Sequence, residues 1–327
     1  MSKKNILLLC GGGSSEHEVS LRSVKFFEER LALIPEKNVT KIVIEKDGTW
    51  KNDQGISFRL DLDKTLRSLD RKIEINIDYV IPCIHGYPGE TGDLQSYLEM
   101  IGLDYLGCNS ETSKMCFNKI TTKMWASALG VENTPYIFLS ENSEENLKRV
   151  IEFQKAHSEI VIKASNQGSS VGCYILSSTD EPKKFIEDAF NLSPFVLVEK
   201  RVRPRELEVS VYEFNGKLQV SYPGEIITPT STFYTYEEKY SEASQSRTLI
   251  KAENVPDEVV KQITDYATKL YYGFRIRHLS RIDFFYCENK VYLNEINTFP
   301  GLTSISMFPK MMEANGHSFT EYLKQRV

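Results

Sequence analysis

Two short segments near the end of the chain carry side chains suited to phosphate and metal chemistry. Arg281-Ile282-Asp283 lies in one strand-like run, and Glu295-Ile296-Asn297 lies in another about a dozen residues later. Asp283, Glu295 and Asn297 offer hard oxygen ligands, which Mg²⁺ prefers when nucleotide phosphates complete its coordination shell. Arg281 adds a fixed cation two residues before the first carboxylate. These residue types suggest a protein that handles ATP phosphates beside a reacting carbonyl group.

The register between the two segments decides whether these side chains can meet. Alternate strand residues share a face, so Arg281 pairs with Asp283 on one strand and Glu295 with Asn297 on the other. A hairpin loop of odd length, such as residues 288–290, places Asp283 opposite Glu295, whereas an even loop separates them onto opposite faces. The metal-site interpretation therefore requires the odd register. The alternative is an antiparallel hairpin whose polar face is simply solvated.

A glycine–serine loop at residues 168–172 is a second candidate for phosphate binding. It joins two predicted strands, and Lys163 precedes it by five residues in the first strand. Flexible glycines let backbone N–H groups surround phosphate oxygens, and a strand lysine supplies a point charge. The segment lacks the Gly-Lys-Ser/Thr of a Walker A motif. A plain hairpin turn is the alternative.

Two further glycine-containing segments follow predicted strands. Gly11-Gly12-Gly13 is not a GxGxxG motif and lacks the later acidic residue of a dinucleotide site, so a tight turn that holds Ser15 and Glu16 near a site is favoured. His85 lies between a strand end and a glycine. Loops at the carboxyl ends of such strands often form sites, although a structural histidine is the alternative.

The surrounding pattern predicts three parts that would position these residues. An opening strand, glycine turn and helix are typical of a doubly wound α/β domain that ends near Asn109. Residues 228–247, rich in Ser, Thr and Tyr, predict a lid loop. The predicted strands cover residues 6–10, 39–45, 78–84, 160–163, 171–176, 195–199, 208–214 and 217–222, and the predicted helices cover residues 16–33, 93–101, 113–129, 144–156 and 256–272.

Composition excludes several classes of protein. The 327 residues are 41% hydrophobic and 26% charged, as in soluble globular proteins, and the net charge of −5 argues against a nucleic-acid partner. The six cysteines show no CxxC spacing, so neither zinc nor a disulfide framework is indicated, and a cytoplasmic location is expected. No signal peptide or membrane span is predicted.

Six motifs in a fixed order resemble those of the D-alanine–D-alanine ligases of the ATP-grasp fold. The resemblance runs from residue 4 to about residue 320. It implies an α/β protein (α+β in the ATP-binding part) with an N-terminal doubly wound parallel-sheet domain at 1–109, a central ATP-grasp subdomain at 110–199 and a C-terminal ATP-grasp domain at 200–327. The motifs are Gly11-Gly-Gly-Ser-Ser-Glu-His-Glu-Val-Ser-Leu21, His85-Gly-Tyr-Pro-Gly-Glu-Thr-Gly92, Gly168-Ser-Ser-Val-Gly172, Phe233-Tyr-Thr-Tyr-Glu-Glu-Lys-Tyr240, Arg281-Ile-Asp283 and Asn294-Glu-Ile-Asn-Thr-Phe-Pro-Gly-Leu-Thr303.

The resemblance also implies roles for individual residues. Asp283, Glu295 and Asn297 would hold two Mg²⁺ ions, for which Mn²⁺ could substitute. The ATP-binding residues would be Lys119, Lys163 and Lys239 at the phosphates, Glu199 and Lys200 along the adenine, and Glu206 at the ribose, together with Ser170.

The remaining implied roles concern the amino-acid substrates. Glu16 would bind the ammonium of the first D-alanine near His85, and Ser306 would hold the carboxylate of the second. Arg281 and the Gly301 N–H would form an oxyanion hole. Glu16, Ser169 and Tyr240 would form a hydrogen-bonded triad that closes the lid. A tyrosine at position 240 favours an amine nucleophile and hence a dipeptide product.

Three positions depart from the family pattern, and three other functions stay open. Thr91, Ala164 and Ser280 replace the usual Asp, Pro and Gly, without removing a charged group. The alternatives are a related carboxylate–amine ligase with another second substrate such as D-serine, a nucleotide-binding module without catalysis, and a Rossmann oxidoreductase. The resemblance further suggests a homodimer formed through the first domain.

Overall fold

The computed structural model describes residues 3–227 and 247–327. The N-terminal part contains the strands β1 Lys4–Gly11, β2 Lys37–Ile44, β3 Trp50–Lys51, β4 Ser57–Leu60, β5 Thr65–Ser68, β6 Glu74–Asn76 and β7 Tyr79–Pro82, with the helices α1 His17–Leu31 and α2 Asp93–Met100. The middle part contains α3 Ser110–Phe117, α4 Lys119–Ala128, β8 Tyr136–Leu139, α5 Glu144–His157, β9 Ile160–Ala164, β10 Cys173–Leu176, α6 Lys183–Phe190 and β11 Val196–Lys200. The last part contains β12 Arg205–Phe214, β13 Lys217–Val220, β14 Gly224–Ile227, β15 Arg247–Leu249, α7 Asp257–Gly273, β16 Leu279–Cys287, β17 Lys290–Asn297, α8 Met307–Ala314 and α9 Phe319–Lys324.

The first sheet is parallel at one end and antiparallel at the other. β1 lies between β2 and β7 and is parallel to both, as the buried apolar run at residues 6–10 predicts. The short strands β3 to β6 extend the sheet beyond β2 with antiparallel pairing, so the parallel portion is narrower than the sequence analysis expected. Strands of two to four residues carry too little alternation to be recognised from sequence.

Two antiparallel sheets make up the rest of the described chain. The central sheet has the order β10-β9-β11-β8, and the predicted hairpin between β9 and β10 is present. The last sheet has the order β15-β14-β12-β16-β17, with β13 paired to β12. Asn215 and Gly216 form the predicted two-residue turn, and both have positive φ. Among the described residues, no helix is long and apolar enough to cross a lipid bilayer.

The helix predicted for residues 113–129 is wrong, because Asn118 divides it into α3 and α4. Asn118 has an extended backbone, and its side chain accepts hydrogen bonds from the N–H groups of Ile120 and Thr121. Ser165, which directly follows β9, accepts a 3.1 Å hydrogen bond from the Lys119 N–H at its carbonyl, and its hydroxyl donates one of 2.8 Å to the Asn118 side chain. The break therefore fixes Lys119 at the first residue of α4.

The predicted register between β16 and β17 is confirmed, but the loop that was expected to produce it is wrong. Arg281 lies opposite Asn297 and Asp283 opposite Glu295. The turn contains two residues, Glu288 and Asn289, both with positive φ, rather than an odd number. A register shift after Asp283 leaves Asn294 as an extra residue in β17, and this β-bulge restores the required parity.

Replacement of Asn118 by Ala should destabilise the protein by about 1 kcal/mol, because the first N–H groups of α4 lose their cap. Urea unfolding measured for the wild type and for Asn118→Ala gives the difference. Asn118→Asp is the matched control, since its carboxylate keeps an acceptor at the same position. Equal unfolding free energies for wild type and Asn118→Ala would contradict the capping role.

Candidate active site

A cleft of about 670 Å³ lies where loops of the first sheet, the glycine–serine loop and the β16–β17 hairpin meet. Its walls combine polar side chains from all three parts of the described chain. The sequence-predicted residues that line it are Glu16, His85, Lys119, Ser169, Arg281, Glu295, Asn297, Gly301 and Ser306. Residues that are more than 250 positions apart in sequence therefore face one volume.

Arg281 is the cation at one wall of the cleft. Its Nε and Nη2 each donate a 2.8 Å hydrogen bond to the Asp283 carboxylate. Its Nε also lies 3.4 Å from Glu208, which is 2% exposed and comes from the neighbouring strand β12. Burial opposes the charged form of Arg281, but Asp283 and Glu208 outweigh it and raise the guanidinium pKa. Arg281 is thus held in one orientation by two carboxylates.

The other predicted metal ligands lie beside this pair. The Asn297 amide donates a 3.0 Å hydrogen bond to Asp283. The Glu295 carboxylate lies 3.9 Å from the Lys119 ammonium, which also donates a 2.6 Å hydrogen bond to the backbone oxygen of Gln167. Asp283 and Glu295 therefore each have a cation next to them.

The donor set fits a hard divalent cation. Two carboxylates and one amide oxygen come from adjacent, register-paired strands at the cleft, and oxygen ligands of this kind suit Mg²⁺. Among residues 3–227 and 247–327, no cluster of three His, Cys, Asp or Glu side chains is arranged to bind a metal. The third side chain of this set is an amide, so a soft-metal site of the zinc type is not indicated.

His85 is held by three serines at the end of β7. Ser20 accepts a hydrogen bond from the His85 N–H at 2.9 Å, and Ser14 donates one to the His85 carbonyl at 2.8 Å. Ser23 Oγ lies 2.9 Å from His85 Nε2. Burial lowers the pKa of the imidazole, so His85 is neutral near pH 7. The same contacts orient the residues around Glu16.

Glu16 and the glycine–serine loop touch directly, although they are 153 residues apart. Ser169 Oγ donates a 2.7 Å hydrogen bond to the Glu16 carboxylate. A β-carbon on Gly168 would lie 3.0 Å from the same carboxylate, a tight contact that Glu16 could relieve only by moving a few tenths of an ångström. These contacts supply two members of the predicted triad. Tyr240, its third member, Lys239 and residues 228–246 of the predicted lid lie outside the described residues.

The glycine turn at residues 11–13 has the role that the sequence analysis favoured. Gly12 donates its N–H to Ile44 at 2.7 Å, and Gly11 has φ +84°. A β-carbon on Gly11 would lie only 2.3 Å from the Ile44 carbonyl, so no other residue fits this turn. The turn brings Glu16 to the start of α1 and into the cleft.

The predicted oxyanion and carboxylate residues Gly301 and Ser306 are neighbours. Ser306 Oγ accepts a 3.0 Å hydrogen bond from the Thr303 N–H and lies 2.7 Å from its hydroxyl. A β-carbon on Gly301 would lie 3.3 Å from Ser306 Oγ. Ser306 immediately precedes α8. The loop between β17 and α8 is therefore compact against the cleft.

The predicted nucleotide residues Lys163 and Glu199 lie in the central sheet, outside the lining of the cleft. Glu199 is 3% exposed and is bound by Lys163 and Lys123, each at 2.7 Å, and by the Thr134 hydroxyl. Burial favours the neutral acid, but the two lysines outweigh it and lower the pKa of Glu199. The same carboxylate raises the pKa of Lys163 against its burial.

Three further predicted nucleotide residues occupy neighbouring positions. Ser170 follows Ser169 in the glycine–serine loop, and both have positive φ. Lys200 ends β11, and Glu206 lies in β12 opposite Phe285 and Ile226. The structure thus brings Lys163 and Glu199 into contact, and Lys200 follows Glu199 at the end of β11.

Three buried or partly buried charged groups were missed by sequence reasoning. Glu208 supports Arg281, Lys123 supports Glu199, and Glu90 lines the cleft near Glu16. Glu90 accepts a 2.7 Å hydrogen bond from the Gly86 N–H. Burial and the negative charge of Glu16 raise the pKa of Glu90 to about 8. The available signals were the i, i+4 spacing of Lys119 and Lys123 and the position of Glu90 within the His85 motif.

Comparison with known proteins places this geometry in one family. The model for the D-ala D-ala ligase N-terminus matches residues 5–108, and the model for the C-terminus matches residues 125–327. A D-alanine–D-alanine ligase of Aeromonas salmonicida is 53% identical, over 99% of this chain and 98% of that protein.

Solved structures agree with the sequence matches. The structure of D-alanyl-alanine synthetase A from Vibrio cholerae superposes with a TM-score of 0.94 at 51% identity and covers 99% of this chain and 97% of that one. The VanG D-Ala:D-Ser ligase of Enterococcus faecalis is more distant, with a TM-score of 0.86 at 27% identity over 98% of each chain.

Glu90→Gln should stabilise the protein increasingly as the pH rises from 4.5 toward about 8. In this range the unfolded chain releases the Glu90 proton while the folded protein retains it, so the wild type loses stability and the glutamine variant does not. Melting temperatures of both proteins at several pH values give the difference, which should level off above pH 8. The control is Glu18→Gln, which removes an exposed carboxylate from α1. If the melting-temperature difference between Glu90→Gln and wild type depends on pH in the same way as that between Glu18→Gln and wild type, the raised pKa of Glu90 is contradicted.

Proposed function

The chain belongs to the D-alanine–D-alanine ligase family, and from that premise we propose how its cleft carries out the reaction. The protein is a ligase of the ATP-grasp fold that joins two D-alanines into D-alanyl-D-alanine for peptidoglycan biosynthesis. The observation that carries the assignment of roles is the strand register, which sets Asp283 opposite Glu295 and Arg281 opposite Asn297. Arg281, Glu295 and Asn297 line the same cleft as Glu16.

The first step activates a carboxylate. The γ-phosphoryl group of ATP passes to a carboxylate oxygen of the first D-alanine, ADP leaves, and an acyl phosphate forms. Glu16 binds the ammonium of this D-alanine near His85. The phosphate contacts come from Lys119, Lys163, Ser170 and Lys239. Since little covalent assistance is needed, the protein contributes mainly position and charge.

Asp283, Glu295 and Asn297 would hold Mg²⁺ as two ions, with Mn²⁺ as a possible substitute. The support is the oxygen donor set on paired strands. When bound, Mg²⁺ neutralises charge on the phosphates during phosphoryl transfer. Lys119 and Arg281 already lie next to these carboxylates.

The second step forms the peptide bond. The amine of the second D-alanine, whose carboxylate is held at Ser306, attacks the acyl carbon, and the proton that it loses leaves with the phosphate as HPO₄²⁻. The C–N bond forms, the bond from carbon to the phosphate oxygen breaks, and inorganic phosphate leaves. Arg281 and the Gly301 N–H donate to the oxyanion of the tetrahedral intermediate. The triad of Glu16, Ser169 and Tyr240 closes the lid and excludes water from the acyl phosphate.

The nucleotide base would lie beside the central sheet, along Glu199 and Lys200, with the ribose at Glu206. The Glu199 carboxylate is paired with Lys163. This contact between a proposed adenine residue and a proposed phosphate residue supports a nucleotide that extends from the central sheet toward the cleft. The division into domains at 1–109, 110–199 and 200–327 follows the same scheme. A homodimer and a cytoplasmic location, where ATP is available, complete the proposal.

D-Serine as second substrate is the less favoured alternative. The protein that is 53% identical is named as a D-alanine–D-alanine ligase, whereas the D-Ala:D-Ser ligase is 27% identical. Tyr240 favours an amine over the hydroxyl of D-lactate.

Phosphate release tests the proposed function directly. With ATP and Mg²⁺, the protein should release phosphate and form D-alanyl-D-alanine from D-alanine, and L-alanine should give neither. Omission of Mg²⁺ should abolish both. Competition among D-alanine, D-serine and D-lactate ranks the second substrate. ATP hydrolysis without dipeptide, or preferential use of D-serine or D-lactate, would overturn the proposal.

Arg281→Ala should lower kcat by roughly 10²–10³, because a donor to the oxyanion is lost. ATP binding, measured by titration, should be retained. Arg281→Lys is the control, because it keeps a positive charge near Asp283 and Glu208 but loses the bidentate donor geometry of arginine. Its kcat should lie between those of the wild type and Arg281→Ala. Normal turnover by Arg281→Ala would show that the oxyanion assignment is wrong.

A further inference from the structure

We propose that Lys123 is a positioning residue for nucleotide binding, because its permanent ion pair with Glu199 lets Lys163 leave that carboxylate for a phosphate oxygen. The inference rests on the proposed function, in that it takes the central sheet as the nucleotide site. Lys123 would not touch ATP itself and acts through Glu199 and Lys163.

The geometry gives the two lysines different surroundings. Lys123 Nζ lies 2.7 Å from Glu199 Oε1, and Lys163 Nζ lies 2.7 Å from Glu199 Oε2. The Lys123 side chain is 2% exposed, whereas that of Lys163 is 12% exposed. Lys123 also lies 3.3 Å from the Thr134 hydroxyl and 5.6 Å from the centre of the Tyr136 ring. Lys123 is therefore enclosed on all these sides, while Lys163 keeps a route to solvent.

The charges of the cluster give a reason why both Lys123 and Lys163 pair with Glu199. Glu199 is a single acid between two basic side chains, and burial and the charge of Lys163 lower the pKa of Lys123, although Glu199 opposes this change. When Lys163 moves to an anionic phosphate, Glu199 keeps Lys123 and the Thr134 hydroxyl, so the carboxylate stays neutralised. Without Lys123, the same movement would leave a buried carboxylate with no cation, which is strongly unfavourable.

Helix α4 links this pair to the cleft. Lys119 and Lys123 are four residues apart and lie on one face of the helix, whose start is fixed by Asn118. Lys119 reaches Gln167 and Glu295, while Lys123 reaches Glu199. Helix α4 thus carries Lys119, which lies near the proposed phosphate position of the nucleotide, and Lys123, which pairs with the carboxylate near the proposed adenine position.

Lys123→Met tests the inference, because methionine is similar in length and uncharged. We expect the KM for ATP to rise at least tenfold, kcat to change less than threefold, and the KM for D-alanine to stay within twofold. Trp125→Phe is the matched control: it removes the hydrogen bond from α4 to Gly273 without touching Glu199, and should leave all three constants near wild type. A fall in kcat with an unchanged KM for ATP would overturn the proposal.

A double-mutant cycle separates positioning from a structural role. In a Glu199→Gln background no buried negative charge needs Lys123, so adding Lys123→Met should change the KM for ATP less than twofold. An equal effect in both backgrounds would show that Lys123 does not act through the Glu199 charge. If Lys123→Met does not fold, Thr134→Val takes its place, since it weakens the Glu199 and Lys123 contacts. The proposal is supported if Thr134→Val raises the KM for ATP when Glu199 is present but not in the Glu199→Gln variant. It is refuted if Thr134→Val does not raise this KM.

Titration with a non-hydrolysable ATP analogue and Mg²⁺ keeps this test independent of the amino-acid substrates. Weaker binding of the analogue to Lys123→Met than to wild type is expected even if the second substrate is not D-alanine. Failure of the wild type to bind the analogue would refute the nucleotide site, and hence the proposed function. Equal binding by wild type and Lys123→Met would refute the inference alone.

Discussion

The pairing register of β16 and β17 is the constraint on which the cleft depends. The extra residue Asn294 shifts the pairing, so that Glu295 lies opposite Asp283 and Ile296 lies opposite Ile282. Without the bulge, the two-residue turn would pair Glu295 with Ile282 and turn the carboxylate toward the apolar core. The bulge thus places each side chain of β17 on the correct face: Ile296, which is 4% exposed, lies among core residues, and Glu295 lines the cleft. A β-bulge next to an active site commonly redirects a side chain in this way.

Charges in and beside the cleft are balanced internally. Arg281 lies between Asp283 and Glu208, Lys119 lies beside Glu295, and Glu199 lies between two lysines. A charged group out of water is stable only when it is paired and hydrogen-bonded. The charged side chains in and beside the cleft are therefore held in defined orientations by one another. Such preorganisation is a main source of electrostatic catalysis.

The sequence predicted the position of side chains that depend on a local pattern. It did not predict features that depend on contacts between residues far apart in the chain. The alternation around Arg281 and Glu295 predicted their common face, and the glycine turn predicted the position of Glu16. The bulge at Asn294 was not predicted, because residues on both sides of it look like ordinary strand. The helix break at Asn118 depends on Ser165, 47 residues away in sequence. Glu208 and Lys123 were missed for the same reason, since their roles come from partners on other elements.

Two kinds of contact join the parts of the protein, and they differ in how readily water can replace them. The first part is packed against the last through aromatic rings: Phe27 contacts Phe299 and Phe319 with centroid distances of 6.1 and 5.6 Å. Burial of such a ring contributes about 1.5–3 kcal/mol. The described contacts between Glu16 and the glycine–serine loop are polar, and a hydrogen bond to a charged group contributes about 1.5–3 kcal/mol only while its geometry is held. Because water can replace the partner of a hydroxyl but cannot replace apolar packing, the Glu16–Ser169 contact opens at lower cost than the aromatic one. The packing of Phe27 against Phe299 and Phe319 therefore holds the first part of the protein to the last, and the Glu16–Ser169 hydrogen bond is the more easily opened of the two contacts.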